Sequence, residues 1–129
     1  MIFALPAFAI DLSVRGHVVH MELADSPELR ERGLMFRESL GVDAGMLFVY
    51  PAPAPRRFWM KDTPLPLDIA FADARGGIVS VATMKPLDLT PVPSGKPAMY
   101  ALEMAAGWFA EHGVAEGDTV TGLPPGSAR

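Results

Sequence analysis

The sequence contains no cysteine. That absence removes disulfides, zinc–thiolate sites, iron–sulfur clusters and thiol nucleophiles together, and it leaves the redox compartment open. Basic residues are also scarce: eleven Lys and Arg stand against fifteen Asp and Glu, for a formal charge of −4 and a pI near 5.2. A phosphate backbone needs a basic face, so nucleic acid is not expected as a partner. No apolar run approaches the ~20 residues that span a bilayer. The longest, MIFALPAFAI at the N-terminus, is interrupted by Pro6 and lacks the basic n-region of a secretory signal. Ala7-Phe8-Ala9 nevertheless has the A-x-A form of a cleavage site. Residues 1–9 therefore read as the remnant of an export signal or as a first strand, with export favoured and a periplasmic location implied.

What is present is ordinary globular material. The chain has 129 residues, half of them hydrophobic and 20% charged, which fits one domain with a sizeable core. Thirteen prolines and twelve glycines punctuate short apolar segments. That pattern predicts a mainly β fold of about eight short strands, a sandwich or small jelly-roll-like barrel, with two short helices. The strands are expected at residues 10–14, 17–24, 45–50, 56–61, 65–71, 78–83, 98–104 and 118–121. Ser26-Pro27-Glu28 has the form of a helix N-cap, and Gly33 closes that helix in under two turns. A second helix is expected from Gly107 to His112. Residues 10–123 form the domain and 124–129 a flexible tail. The proline-rich segment Met84–Pro97 reads either as a rigid crossover or as a binding loop.

Metal and nucleophile chemistry find little support. His17 and His20 stand three apart on a strand and so point to opposite faces, where they cannot share an ion. No metal or cofactor is expected. No G-x-S-x-G occurs, and Ser94–Pro97 lacks the glycine spacing of a phosphate loop. The informative stretch is PRRFWMKDTPLPLDIAF, residues 55–71. As a strand it turns Phe58 and Met60 one way and Arg57, Trp59 and Lys61 the other. An aromatic platform flanked by cations suits a sugar or an anion, although the same trio also describes an exposed face on which cation stems cover an indole. Asp68 is the one charge in an apolar strand, so it must be paired, hydrated or exposed. Glu103 is a similar acid within AMYALEMA.

These motifs resemble the "domain of unknown function 192" family. The resemblance rests on Arg32–Arg37 (RGLMFR), Gly45–Phe48 (GMLF), Phe58–Lys61 (FWMK), Pro66–Ile69 (PLDI), and Leu102-Glu103 with Gly107. It implies a mostly β fold in a bacterial and archaeal family without established activity, often following an export signal. Where the family pattern commonly reads W-M-K-N-T, this chain has Asp62 in place of asparagine. An ionised aspartate accepts hydrogen bonds but does not donate them.

Three functions follow as expectations. The first is a small domain binding a polar small molecule, a sugar or an anion, through Trp59, Lys61, Asp62 and Asp68, with Arg37 contributing. The second is a carbohydrate hydrolase with Asp68 and Glu103 as acid and base, ~5–9.5 Å apart. The third is an envelope interaction module, which requires an exposed apolar patch of several hundred Å².

Overall fold

The computed structural model describes residues 9–129. Nine strands and two helices lie among them: β1 Ala9–Val14, β2 His17–Ala24, α1 Pro27–Arg32, β3 Ala44–Ala54, β4 Arg57–Phe58, β5 Leu67–Ala72, β6 Ile78–Met84, β7 Val92–Pro93, β8 Ala98–Ala105, α2 Trp108–Glu111 and β9 Val120–Thr121. Seven strands form one sheet in the order β6-β5-β8-β3-β2-β1-β9, and β4 pairs with β7 in a small separate ribbon. The expected export remnant lies almost wholly outside the described residues; Ala9 opens β1.

Local chemistry explains the hairpins. Arg15 and Gly16 have φ of 48° and 78°. Two left-handed residues in a two-residue loop match the twist of the strands they join, and Val14 faces His17 across it. Between β5 and β6 the Asp73 carboxylate accepts from the N–H groups of Arg75 and Gly77, both at 2.9 Å. The connection from β2 to β3 differs, because those strands run parallel and need a crossover. α1 supplies part of it. The Ser26 hydroxyl accepts from Leu29 N, and Gly33, with φ of 48°, donates to the Leu29 carbonyl.

The sheet curls until its edges meet at one end. Gly77 and Thr119 form an antiparallel bridge, and Val120 N donates to the Gly76 carbonyl at 2.8 Å. The result is a half-barrel with two apolar faces. Its interior takes Leu12, Val14, Val19, Met21, Leu47, Leu102 and Met104, closed by Trp108 and Phe109 of α2. The outer face carries Met46, Phe48, Leu67, Ile69 and Phe71, covered by Leu34, Phe58, Met60 and Leu65. β3 and β5 are therefore buried on both sides, as the continuous apolar run GMLFVY anticipates.

Three expectations need correction. The strand at 56–61 shortens to Arg57–Phe58, because Met60 N turns away to donate to the Asp88 carbonyl. The segment Met84–Pro97, read either as a rigid crossover or as a binding loop, is less irregular than its prolines suggest. It contains β7, and the Ser94 hydroxyl accepts from Arg56 N and donates to the Lys96 carbonyl. Residues 124–129 do not behave as a loose tail. Ser127 N donates to the Tyr50 carbonyl, Arg30 reaches the Ser127 hydroxyl, and the Tyr100 hydroxyl donates to the Pro124 carbonyl.

Gly45 shows how tightly β3 lies against β8. A Cβ there would sit 2.6 Å from Met104 Sδ and closer still to the Glu103 carbonyl oxygen. Gly45→Ala is expected to destabilise the fold by about 1–3 kcal/mol or more, since backbone cannot yield as a flexible side chain can. Urea unfolding of the two proteins measures this; an unchanged midpoint would mean that the strands separate more easily than their packing implies.

Candidate functional site

A pocket of about 250 Å³ opens on the outer face of the half-barrel. One wall is the C-terminal end of α1 and the turn after it, from Arg30 to Met35; the other is Arg57, Phe58, Trp59, Lys61 and Thr63. Phe48 and Tyr50 of β3 and Glu103 of β8 also line it. Backbone contacts set the width of the cleft. Gly33 ends α1, and Phe36 N then donates to the Asp62 carbonyl at 2.7 Å, tying one wall to the turn that carries the other.

The alternation expected in FWMK holds across the short strand and beyond it. Phe58 and Met60 are buried, while Arg57, Trp59 and Lys61 are exposed. Lys61 Nζ lies 5.4 Å from the Trp59 ring centre, close enough for a cation–π contact of modest strength at an exposed site. Four cations line the pocket (Arg30, Arg32, Arg57, Lys61) against two acids (Glu31, Glu103). Arg30 is partly engaged, donating to the Val49 carbonyl at 2.8 Å with its guanidinium 4.9 Å from the Tyr50 ring. Arg32, Arg57 and Lys61 make no ion pair among the described residues. An acidic protein thus gathers unpaired positive charge at one cleft.

Glu103 is 4% exposed. Its strand partners are Met46 on β3 and Ile69 on β5, so its neighbours in the sheet are apolar. Burial pushes its carboxyl up to about 8, with no hydrogen bond or cation pulling it back. Near pH 7 the group is therefore mainly neutral and can donate through its O–H. Burial likewise raises the Tyr50 phenol; Arg56 and Arg30 work against the shift and Glu103 adds to it.

Asp68 is elsewhere. It faces Met104 across the β5–β8 pairing, whereas Glu103 faces Ile69. Directly opposed residues share a face and successive residues alternate. Asp68 therefore points to the half-barrel interior with Met104, and Glu103 to the outer face with Ile69. The two carboxyls do not flank a common cleft, so the expected acid–base pair does not form. Trp59 and Asp68 are also on opposite sides of the sheet, so Asp68 leaves the expected binding wall. Its own work is structural: Oδ2 accepts from Gly107 N at 2.9 Å at the start of α2, and Oδ1 has no partner.

Two further expected wall residues do not line the pocket. Arg37 is held by a two-pronged pair with Glu22 at 2.8 and 2.6 Å, and that hydrogen bond raises its pKa. Asp62 occupies the turn with φ of 52° and contributes its carbonyl to Phe36. Asparagine and aspartate tolerate that left-handed backbone better than most residues. A turn role therefore accounts for the aspartate at this position.

Of the expected residues, the pocket joins Trp59 and Lys61 with Glu103, which the sequence suggests only as one member of a catalytic acid–base pair. Arg30, Arg32 and Tyr50 went unnoticed. The alternation of Met46, Phe48 and Tyr50 along β3 signals that Tyr50 shares their face, but nothing local brings α1 opposite FWMK. The histidines do not assemble into a metal site: among the described residues no group of three or more His, Cys, Asp or Glu could hold an ion. His20 instead meets Asp11 at 2.7 Å, and His17 lies edge-on to His112, their ring centres 4.7 Å apart.

Comparison with known proteins adds a family and a fold. Residues 10–122 match the model of the family described as "DUF192: Uncharacterized ACR". A Sinorhizobium meliloti protein, described provisionally as a transcription regulator, superposes with a TM-score of 0.87 at 33% identity, over 92% of this chain and 96% of its own. A Novosphingobium aromaticivorans protein of unknown function gives 0.83 at 36% identity, over 87% and 84%. No curated protein matches the chain.

The two acids give separate predictions. Glu103 has a folded pKa above its unfolded value, so the folded state holds more protons between about pH 4.5 and 8. Stability contributed by the neutral acid is present below that window and falls as pH rises through it. Glu103→Gln should match the wild type near pH 5 and exceed it near pH 9, read from urea midpoints across that range. Parallel profiles for the two proteins would show that Glu103 does not titrate as its burial demands. Asp68→Ala should cost about 1–3 kcal/mol by stranding the Gly107 N–H. Asp68→Asn, which keeps an acceptor oxygen, should cost less. Equal losses in the two variants would count against a capping role.

Proposed function

This chain belongs to the DUF192 family, which carries no assigned activity, and from that premise we propose that it is a binding module for a small anionic molecule held in the pocket between α1 and the FWMK turn. The observation that carries this reading is the set of unpaired cations Arg32, Arg57 and Lys61 around a cleft whose buried acid is mainly neutral near pH 7. Cations gathered at a concave, partly desolvated site attract anions more strongly than the same charges spread over a convex surface. Trp59, at 47% exposure beside Lys61, offers a flat apolar surface for a ring or sugar face. A cleft of about 250 Å³ suits a metabolite-sized ligand rather than a larger one.

The carbohydrate hydrolase reading loses its support with the separation of Asp68 from Glu103. The provisional description of the Sinorhizobium protein as a transcription regulator is compatible with a small-molecule sensor. An overall charge of −4 makes direct contact with a nucleic-acid duplex the weaker reading for this chain.

One observation favours a second reading, an interaction module. Phe36, Leu87 and Leu89 are 74%, 59% and 58% exposed. Phe36 and Leu87 border the turn that follows FWMK, because Phe36 N and Leu87 N donate to the Asp62 and Thr63 carbonyls, and Leu89 follows Asp88, whose carbonyl accepts from Met60 N. An apolar rim of this kind suits contact with another macromolecule beside the pocket.

Thermal unfolding against a ligand panel separates these readings. Sodium benzoate and sodium phosphate are expected to raise the melting temperature by several degrees, and uncharged galactose is not. Saturation at about a hundred times Kd corresponds to roughly 2.7 kcal/mol. Salts also stabilise through exclusion from the protein surface, so the decisive comparison is Arg57→Glu/Lys61→Glu. That double variant should keep the general salt effect and lose the site-specific shift. Equal shifts in both proteins would leave the pocket without a ligand role.

A further inference from the structure

The proposed anion site contains a second acid–base feature, and the inference drawn here rests on that reading of the pocket. Glu103 is the one pocket residue that combines near-complete burial with an ionisable group and no hydrogen bond among the described residues. No element packed against it supplies a partner. α1 presents Arg30, Glu31 and Arg32; β3 presents Tyr50; β4 and the turn after it present Arg57 and Lys61. β5 presents only apolar side chains to this face, Leu67, Ile69 and Phe71, its acid Asp68 being turned to the interior. None of the four cations forms an ion pair with Glu103. Arg32, Arg57 and Lys61 are exposed and stand at the mouth, while Arg30 is turned to the Val49 carbonyl.

The chemistry of such a floor is asymmetric. An unpaired carboxylate there would be costly, whereas the neutral acid offers one O–H donor and a carbonyl acceptor. Tyr50, which lines the same pocket, carries a second O–H. Two donors below a cationic mouth fit a ligand with two acceptor oxygens and a single negative charge. We propose that the pocket takes a small carboxylate together with one proton, the Glu103 O–H donating to a ligand oxygen while the cations at the mouth offset the ligand's charge. No covalent bond of the ligand is made or broken. The proton is already on Glu103 in mildly acidic solution and is taken from solvent when binding occurs in alkaline solution. An ammonium ligand would do the reverse, ionising Glu103 and releasing a proton.

Calorimetric titration of the whole chain with sodium benzoate, in two buffers of different ionisation enthalpy, reads the protons exchanged directly. At pH 9 benzoate should bind with uptake approaching one proton, and its affinity should be about tenfold weaker than at pH 7. Glu103→Gln keeps a donor without titrating. It should bind benzoate with no proton exchange, and with an affinity that changes less than about twofold over the same range. If that variant fails to fold, the proton count for benzoate binding to the wild type still decides the matter: uptake near one proton at pH 9 with none at pH 6 supports the inference, and no uptake at either pH overturns it. Benzoate binding without proton uptake would overturn this inference and leave the anion pocket standing. If neither benzoate nor phosphate binds at all, both the inference and the anion reading fail.

Discussion

β8 lies between β3 and β5 and pairs antiparallel with both, residue against residue from Gly45↔Met104 on one side and Leu67↔Ala105 on the other. Its backbone is satisfied laterally, and its side chains face the half-barrel interior or the outer core. The fold of this protein depends on that strand being covered on all sides. A strand so placed reads as continuously apolar unless a polar residue has a reason to be there. Glu103 is the exception on β8, and Asp68 is the exception on the neighbouring β5. A one-residue offset sends the first outward to a pocket and the second inward to the start of α2.

The outer core is covered by segments that have little regular structure of their own. α1 has six residues and buries none of them fully, and β4 and β7 have two each. They are held in place by a few hydrogen bonds: Phe36 N to the Asp62 carbonyl, Met60 N to the Asp88 carbonyl, Leu87 N to the Thr63 carbonyl, and Arg56, whose N–H donates to the Ser94 hydroxyl and whose carbonyl accepts from Ser94 N. Left-handed backbone at Phe36, Asp62 and Leu87 lets the chain reverse where these bonds form. Non-glycine residues in that region carry a cost of order 1–3 kcal/mol each. Such strain often clusters at ligand sites; three of the five left-handed non-glycine residues among the described ones fall on the turns that shape the pocket wall and its apolar rim, the other two being Arg15 and Asp43. Positive charge at the mouth, a neutral acid within and backbone strain around it all belong to the same assembly.

Much of this was legible in the residues. The Ser26 cap, the Gly33 stop, the Arg15-Gly16 turn and the period-two patterns located most elements, because each depends on interactions within a few residues. FWMK showed its two-sidedness for the same reason. The site was read less well. Asp68 follows Lys61 closely in sequence, which suggests a shared wall, yet spatial adjacency across a sheet depends on register. Arg37 and Asp62 adjoin the RGLMF and FWMK motifs in sequence, and the structure gives each a separate role, in a pair with Glu22 and in a turn. Arg30, Arg32 and Tyr50 carried no local signal, since only the crossover from β2 to β3 sets α1 opposite the FWMK turn.

The sequence by itself determined the mainly β character, the positions of the turns, the division of FWMK into core and surface, and the family. These are consequences of side-chain alternation and backbone preference, which act over a handful of residues. Tertiary structure alone decided which acid meets which cation, whether the last residues dock, and that the sheet curls into a half-barrel. Those outcomes rest on strand order, register and the burial of both sheet faces, which are set by contacts between residues far apart in the chain. The same amino acid, a lone carboxylate in an apolar strand, became a helix cap at Asp68 and the acid of a pocket at Glu103. The difference is the face of the sheet to which the pairing turned each one.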